Sequence, residues 1–78
     1  MTTTIQSPLP GVFYRRPAPD ADEFAKPGDE VTEGQVIGTI EVMKTFSELK
    51  STVAGTLKEF LIENEDEVSV GQDIAVIE

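Results

Sequence analysis

The sequence lacks two residue types on which much of protein chemistry depends, because its 78 residues include no cysteine and no histidine. Without cysteine the chain can form neither a disulfide nor a thiolate metal site, and the sequence gives no indication of the redox compartment of the protein. Without histidine it has no imidazole to act as a general base or to bind a metal ion. These absences exclude the Ser-His-Asp and Cys-His catalytic systems.

Long apolar runs are also missing. The longest are far too short to span a bilayer. The first fifteen residues do not show the charged start and apolar stretch of a secretory signal, so we expect a cytoplasmic protein. The length is enough for one small domain, and a domain of this size has a thin core.

Positive charge is scarce, since the chain has 6 lysines and arginines but 15 acidic residues, which gives a net charge of −9. This charge repels nucleic acid and anionic membranes, and we expect binding to neither. It fits a protein that visits larger, locally basic partners, although a charge that only keeps a small protein soluble and monomeric accounts for it equally well. The acidic run at residues 63–67 lacks the spacing of a calcium loop, so no metal site is expected.

The most informative feature of the sequence is an internal repeat. Residues 29–41 align with residues 66–78 at an offset of 37, and eight of the thirteen aligned positions are identical. A second pair of blocks, residues 7–13 and 51–57, aligns at an offset of 44. The two offsets differ by seven, so the first half carries seven extra residues between its two blocks.

The extra residues fall in or near residues 16–23, where Pro17 and Pro19 are separated by one residue. Proline removes a backbone donor and fixes φ, which disfavours both a helix and a central strand. We therefore predict a protruding loop at residues 16–23.

The repeated unit has the composition of β-structure. Residues 36–42 are rich in β-branched side chains, and residues 73–77 are a shorter version of the same pattern. Residues 55–62 have apolar side chains at helical spacing, but eight residues that begin with glycine make a poor helix, so we predict a strand with a bulge. Two such units can bury a face by pairing around a two-fold axis. We predict an all-β fold, a flattened β-sandwich or barrel (barrel-sandwich hybrid) of two antiparallel sheets with internal pseudo-two-fold symmetry.

The clearest candidate for a functional residue lies at a turn with unusual chemistry. Almost nothing separates the predicted strands at residues 36–42 and 46–50, so Met43 and Lys44 form the centre of a tight hairpin. Such turns favour Asn-Gly or glycine-rich pairs because their central residues need positive φ. For other residues that conformation costs about 1–2 kcal/mol each, which suggests that function overrides turn chemistry here. Phe46, expected to be at least partly buried, is close enough to brace the turn.

The sequence around this turn resembles a known family. Glu41-Val42-Met43-Lys44 is similar to the Glu-Ala-Met-Lys-Met biotin attachment motif of biotin carboxyl carrier proteins. The segment SPLPGVFYRRPAPDA at residues 7–21 is similar to the carrier subunit of bacterial acetyl-CoA carboxylase. The resemblance runs from about Ser7 to Glu78. In that family the extra residues form a thumb that protrudes beside the biotin, which corresponds here to about residues 16–23.

The chain departs from the family pattern in three ways. Val42 replaces the usual alanine, and Thr45 stands where a second methionine is usual, a position expected to tune recognition by the biotin ligase. The long Ala/Pro-rich segment that precedes the domain in many carrier subunits is missing. Within the chain, we expect residues 1–6 to be a partly flexible N-terminal extension. Residues 7–78 are expected to form the biotinyl carrier domain, with the biotin hairpin at residues 41–46.

The resemblance implies a carrier and not an enzyme. Lys44 is the implied acceptor of a covalent biotin cofactor, attached by a biotin protein ligase. A biotin carboxylase then carboxylates the biotin, and a carboxyltransferase passes the carboxyl group to an acyl-CoA. The expected acceptor is acetyl-CoA, which gives malonyl-CoA for fatty acid synthesis. The carrier contributes a tether that gives each active site a high effective concentration of the cofactor.

The resemblance also implies roles for the residues around Lys44. Met43 would help the ligase choose this lysine, and Glu41 would steer the choice of enzyme by its charge, while Val42 and Thr45 complete the motif. An apolar cap of the hairpin and a solvated strand residue are the plainer interpretations of Met43 and Glu41. Four thumb residues would contact the biotin ring or limit its motion, unless the thumb is a plain surface loop: Pro17, Ala18, Pro19 and Asp20.

Besides a biotin carrier for another substrate, such as propionyl-CoA, urea or pyruvate, two other functions stay open. A lipoyl carrier of a 2-oxo acid dehydrogenase-type complex would have the same fold and use the same lysine. However, lipoyl domains usually have Asp-Lys-Ala where this chain has Met43-Lys44-Thr45, and they lack the thumb. An unmodified β-sandwich interaction module, in which Lys44 is an ordinary exposed turn residue, is the second alternative.

Overall fold

The computed structural model describes residues 2–18 and 20–78, and the regular structure in them consists of β-strands. These residues include no helix with the length and apolar character needed to cross a membrane. In chain order the eight strands are β1 (Thr3–Gln6), β2 (Gly11–Tyr14), β3 (Glu30–Val31), β4 (Val36–Val42), β5 (Thr45–Lys50), β6 (Gly55–Phe60), β7 (Glu67–Val68) and β8 (Asp73–Ile77).

The strands form two four-stranded sheets in the orders β1-β8-β6-β3 and β5-β4-β2-β7, with antiparallel pairing in each. Exchanging the halves of the chain converts one order into the other, since β1 corresponds to β5, β2 to β6, β3 to β7 and β4 to β8. The structure confirms the predicted all-β fold with two antiparallel sheets and internal two-fold symmetry.

The symmetry extends to hydrogen bonds outside the ladders. The Ser7 N–H donates to the Gln72 carbonyl at 2.9 Å, and the Ser51 N–H donates to the Gln35 carbonyl at 2.9 Å. Both serines are buried, and each hydroxyl donates to the carbonyl two residues further along the chain. The repeat in the sequence is therefore also a repeat in backbone geometry, because buried polar groups need the same partners in both halves.

The core lies between the sheets, where the two inner faces bury apolar side chains. In β6 the alternation is plain, since Leu57 is fully buried while Thr56 and Lys58 on either side of it are exposed. Both sheets and the loop after the thumb contribute to the core: Ile5, Phe13, Ala25, Val31, Ile37, Ile40, Leu49, Leu57, Val68, Ile74, Ala75 and Ile77.

Strand β6 contains the predicted bulge. Its register against β8 shifts between Leu57 and Glu59. The strand ends at Phe60, two residues before the end of the predicted segment at residues 55–62. The helical spacing of its apolar residues is thus the combined result of strand alternation and one extra residue.

The start of the chain differs from the expectation of a partly flexible extension at residues 1–6. Strand β1 pairs with β8 along its whole length, from Thr3 opposite Ile77 to Gln6 opposite Asp73. Ile5 is only 2% exposed and belongs to the core. Backbone pairing and apolar burial therefore include β1 in the domain, whereas Met1 lies outside the described residues.

Candidate functional site

The Met43-Lys44 turn is the two-residue loop that joins β4 to β5. The last pair of the ladder is Val42 with Thr45, so only two residues connect the strands. Met43 has φ of 50° and Lys44 has φ of 66°. Both central residues of a type I′ turn need this left-handed conformation, which glycine and asparagine adopt most easily. The structure therefore has the tight, strained turn that the sequence predicts.

The turn exposes both of its side chains to solvent. Met43 is 92% exposed, and Lys44 is also exposed. None of the ion pairs found within residues 2–18 and 20–78 involves Lys44. A primary amine on a flexible four-carbon stem is thus free to react as a nucleophile when it is deprotonated, and an enzyme can reach it without moving the fold.

A small cluster formed by Tyr14, Glu41 and Phe46 supports the strands below the turn. The Tyr14 hydroxyl donates to Glu41 Oε1 at 2.9 Å. The rings of Tyr14 and Phe46 have centroids 5.9 Å apart and are tilted by 54°. Since these residues lie on β2, β4 and β5, the cluster connects three neighbouring strands.

The cluster fixes the first residue of the attachment motif. The hydrogen bond to Glu41, followed by partial burial and by the charges of Glu41 and Glu65, raises the pKa of Tyr14 above its ordinary value of 10.0. Glu41 is therefore a positioned carboxylate and not a freely solvated strand residue. Phe46 is more exposed than expected, at 58%, because its partner is the Tyr14 ring on the outer surface and not the core.

Residues 15 and 24 close the base of the thumb. The Phe24 N–H donates to the Arg15 carbonyl at 2.9 Å. The Arg15 guanidinium lies 3.8 Å from the Glu23 carboxylate and 4.5 Å above the Phe60 ring centroid. The described residues between these points form neither helix nor strand, in agreement with the predicted loop. The thumb is thus a loop held at both ends by one cluster of contacts.

A cleft of about 430 Å³ separates the thumb from the hairpin strands. We call it the thumb cleft. It combines two aromatic rings with a guanidinium, an amide and a carboxylate, a composition that suits a small, mostly apolar ring with polar edges. Its lining residues are Tyr14, Arg16, Pro17, Ala18, Phe46, Asn64 and Glu65.

The predicted site residues are distributed over the hairpin and the thumb. Val42 is partly buried against the core, and Thr45 is exposed opposite it. Of the thumb residues, Pro17 and Ala18 line the thumb cleft. Asp20 is exposed and does not line it, and Pro19 lies outside the described residues.

Four lining residues of the thumb cleft were not predicted from the sequence: Tyr14, Arg16, Asn64 and Glu65. They come from β2, the thumb and the turn before β7, so they are neighbours in space and not along the chain. As for metals, the part of the chain that the structure describes holds no group of three or more potential ligands.

Comparison with known proteins identifies the family. The profile of the family described as biotin-requiring enzyme matches residues 3–77, so this chain belongs to that family. The membership confirms the resemblance drawn from the sequence and agrees with biotin as the cofactor. The exposed Lys44 amine fits a covalently attached group, and the thumb cleft is large enough for a small ring.

Two relatives show how far the likeness extends. The biotin carboxyl carrier protein of acetyl-CoA carboxylase from Chlamydia pneumoniae is 44% identical over 70 residues, which is 90% of this chain and 42% of that protein. The chloroplastic carrier protein from Glycine max is 42% identical over 74 residues, which is 95% of this chain and 28% of that protein. This chain therefore spans less than half the length of either relative.

A solved structure shares the fold. The crystal structure of the Kluyveromyces lactis urea carboxylase matches with a TM-score of 0.82 and 30% sequence identity. The match covers 99% of this chain and 6% of that much larger one. The fold found here thus also occurs as a small part of a large carboxylase.

Proposed function

We propose that Lys44 carries covalently attached biotin and that this chain is the carrier domain of an acetyl-CoA carboxylase. The main support is the exposed Lys44 amine at a strained two-residue turn, in a chain of the biotin-requiring family. The names of the relatives support the choice of acetyl-CoA carboxylase. They also favour biotin over the lipoyl alternative.

The chemical step of attachment needs from this chain only an accessible Lys44 amine. The neutral amine attacks the carboxyl carbon of biotin after the ligase has activated that carboxyl group with ATP. The C–N bond of the amide forms, the activating group leaves with its electron pair, and a base of the ligase takes the proton from the amine. Since the chain has no histidine and Lys44 has no carboxylate within 4.0 Å among the described residues, the base comes from the ligase.

The residues before Lys44 present it to the ligase. Glu41 is held by Tyr14, and the partly buried Val42 anchors the end of β4 to the core. Met43 is 92% exposed and provides an apolar surface next to the acceptor amine. We propose that the ligase recognises Met43 and the charge of Glu41, and that Thr45 tunes this recognition.

The thumb cleft provides a resting place for the cofactor ring. When attached, biotin supplies a ureido nitrogen that takes up and releases a carboxyl group. The rings of Tyr14 and Phe46 line the thumb cleft together with Pro17 and Ala18 of the thumb. We propose that these four residues contact the ring between visits to the partner enzymes and limit its motion.

The chain acts by tethering and does no chemistry of its own. A biotin carboxylase and a carboxyltransferase are the proposed partners, and the flexible arm gives each of them a high effective concentration of the cofactor. The cytoplasmic location and the absence of nucleic-acid and membrane binding remain predictions from the sequence.

Co-expression with a biotin protein ligase, followed by intact mass measurement, tests the attachment. We expect a gain of one biotinyl group in the wild type and in Lys50→Arg, a matched control at another exposed lysine of the same hairpin. Lys44→Arg should gain none. A folded wild-type chain that gains no biotin would contradict the proposal, and a gain of lipoyl instead, in a parallel expression with a lipoate ligase, would favour the alternative carrier.

A transfer assay tests the proposed substrate. The biotinylated chain is mixed with biotin carboxylase, carboxyltransferase, ATP and labelled bicarbonate, and labelled products are measured with acetyl-CoA or propionyl-CoA as acceptor. We expect label in malonyl-CoA. Transfer to another acceptor alone would keep the carrier role and overturn the assignment to acetyl-CoA carboxylase.

A further inference from the structure

Glu65 breaks the internal symmetry of the chain at a position where the backbone favours glycine. Its φ is 71°, in the left-handed region. The equivalent position in the first half, at the offset of 37, is Gly28, with φ of 97°. Residues with a Cβ rarely adopt this backbone conformation, because Cβ comes too close to the following carbonyl oxygen.

The two positions have the same structural role. The Gly28 N–H donates to the Leu57 carbonyl at 2.8 Å, and the Glu65 N–H donates to the equivalent Phe13 carbonyl at 2.6 Å. A Cβ built on Gly28 would meet nothing within 4 Å, so space does not decide which residue stands there. Glycine is sufficient for the turn, and the strained glutamate needs another explanation.

The location of Glu65 suggests that explanation. Its side chain lines the thumb cleft beside Tyr14 and Arg16. Its charge also contributes to the raised pKa of Tyr14, after the hydrogen bond to Glu41, burial and the charge of Glu41. The neighbouring side chains of Asn64 and Asp66 accept hydrogen bonds from backbone N–H groups. The Glu65 carboxylate forms no hydrogen bond or ion pair with any residue that the structure describes, so it remains available to a ligand.

We infer that Glu65 is a specificity-determining residue of the thumb cleft, and that its carboxylate accepts a hydrogen bond from an N–H group of a cyclic urea. The inference rests on the proposed function, because biotin on Lys44 would bring such a group to the cleft. A cyclic urea offers two N–H donors and one carbonyl acceptor, and Arg16 provides a donor for that carbonyl. The dithiolane ring of a lipoyl group has no N–H, so Glu65 favours the urea.

Nuclear magnetic resonance of the holo-protein tests this inference directly. The chain is biotinylated with biotin that carries ¹⁵N in its ring, and intact mass first establishes that the label is attached. In the wild type we expect a ureido N–H signal shifted from that of free biotin amide. We also expect its exchange with water to slow by about tenfold, because hydrogen bonds to charged groups are strong.

Three variants separate the role of the carboxylate from that of the backbone. Glu65→Gly should remove the shift and the slow exchange while the fold is kept, since glycine stands at the equivalent Gly28. Glu65→Gln keeps an uncharged acceptor and should give intermediate values. Glu30→Gln, the same change of charge on β3 of the other sheet, should behave like the wild type.

The outcomes distinguish this inference from the proposed function. If no biotin becomes attached to Lys44, the proposed function fails. If biotin is attached but Glu65→Gly gives the same ureido signals and exchange as the wild type, the role of Glu65 is overturned while attachment stands. Equal loss of slow exchange in Glu30→Gln would also overturn it, because overall charge would then be the cause.

Discussion

Replacing Met43 with glycine should make the domain more stable and a poorer substrate for its ligase. Met43 has φ of 50° and is 92% exposed, so its side chain adds little to packing. Glycine removes a left-handed penalty of about 1–2 kcal/mol and adds about 0.5–1 kcal/mol of conformational entropy to the unfolded chain. Taken at the middle of both ranges, the difference is a net stabilisation of about 0.8 kcal/mol, which for a domain of this size raises Tm by about 3–6 °C.

Two measurements on two variants check this prediction. Thermal unfolding followed by far-ultraviolet circular dichroism gives Tm, and the initial rate of biotin incorporation by the ligase gives the effect on modification. Met43→Ala is the matched control, because it removes the same side chain and leaves a Cβ in the left-handed conformation. We expect Met43→Ala to have nearly the Tm of the wild type, and both variants to be biotinylated more slowly.

Three different results would contradict this prediction. A lower Tm for Met43→Gly would show that the turn is not strained. An equal gain in Tm for both variants would assign the effect to the exposed side chain and not to φ. Unchanged biotinylation rates in both would show that the ligase does not recognise Met43.

Two further predictions concern the strands that support the site. In Gly38→Ala the new methyl carbon would lie 2.5 Å from Phe13 Cε1, so we expect a loss of about 1–3 kcal/mol in urea denaturation. Adding Phe13→Leu to Gly38→Ala should recover part of this loss of stability. If the two substitutions lower the free energy of unfolding by the sum of their separate effects, the clash is contradicted. Tyr14 is the only tyrosine, so alkaline absorbance titration reports its pKa alone. We expect a pKa above 10.0 in the wild type and a lower pKa in Glu41→Gln. Because the pKa of Tyr14 is raised in the folded state, its hydrogen bond to Glu41 stabilises the fold below pH 10.0, and this stabilisation is lost as the pH rises through the folded-state pKa. A titration midpoint of Tyr14 at or below 10.0 would contradict the hydrogen bond.

Much of the fold could be predicted because the sequence contains two copies of the same β unit. Two copies of one β unit, each with a single apolar face, leave few ways to pair, and the structure shows the expected two-fold arrangement. The strained turn was equally visible, since only two residues separate the strands. Strand β1 was missed because its resemblance to β5 is faint, although Ile5 and Leu49 are equivalent at the offset of 44 and both are buried.

The thumb cleft could not be predicted in the same way, because it depends on contacts between distant parts of the chain. Tyr14 reaches Glu41 across 27 residues, and this contact depends on the register of β2 against β4. Glu65 is brought to the cleft by the turn before β7. Its one sequence signal was its alignment with Gly28 in the repeat, which becomes informative only when φ is known.

Mapping the modified residue by peptide mass spectrometry shows directly whether Lys44 is the residue that carries biotin. The chain is co-expressed with a biotin protein ligase, digested at glutamate, and the peptides are fragmented to locate the added mass. We predict one biotinyl group on Lys44 and none on Lys26, Lys50 or Lys58. Biotin on another lysine, or no biotin in a chain shown to be folded, would contradict the assignment of Lys44 as the attachment site.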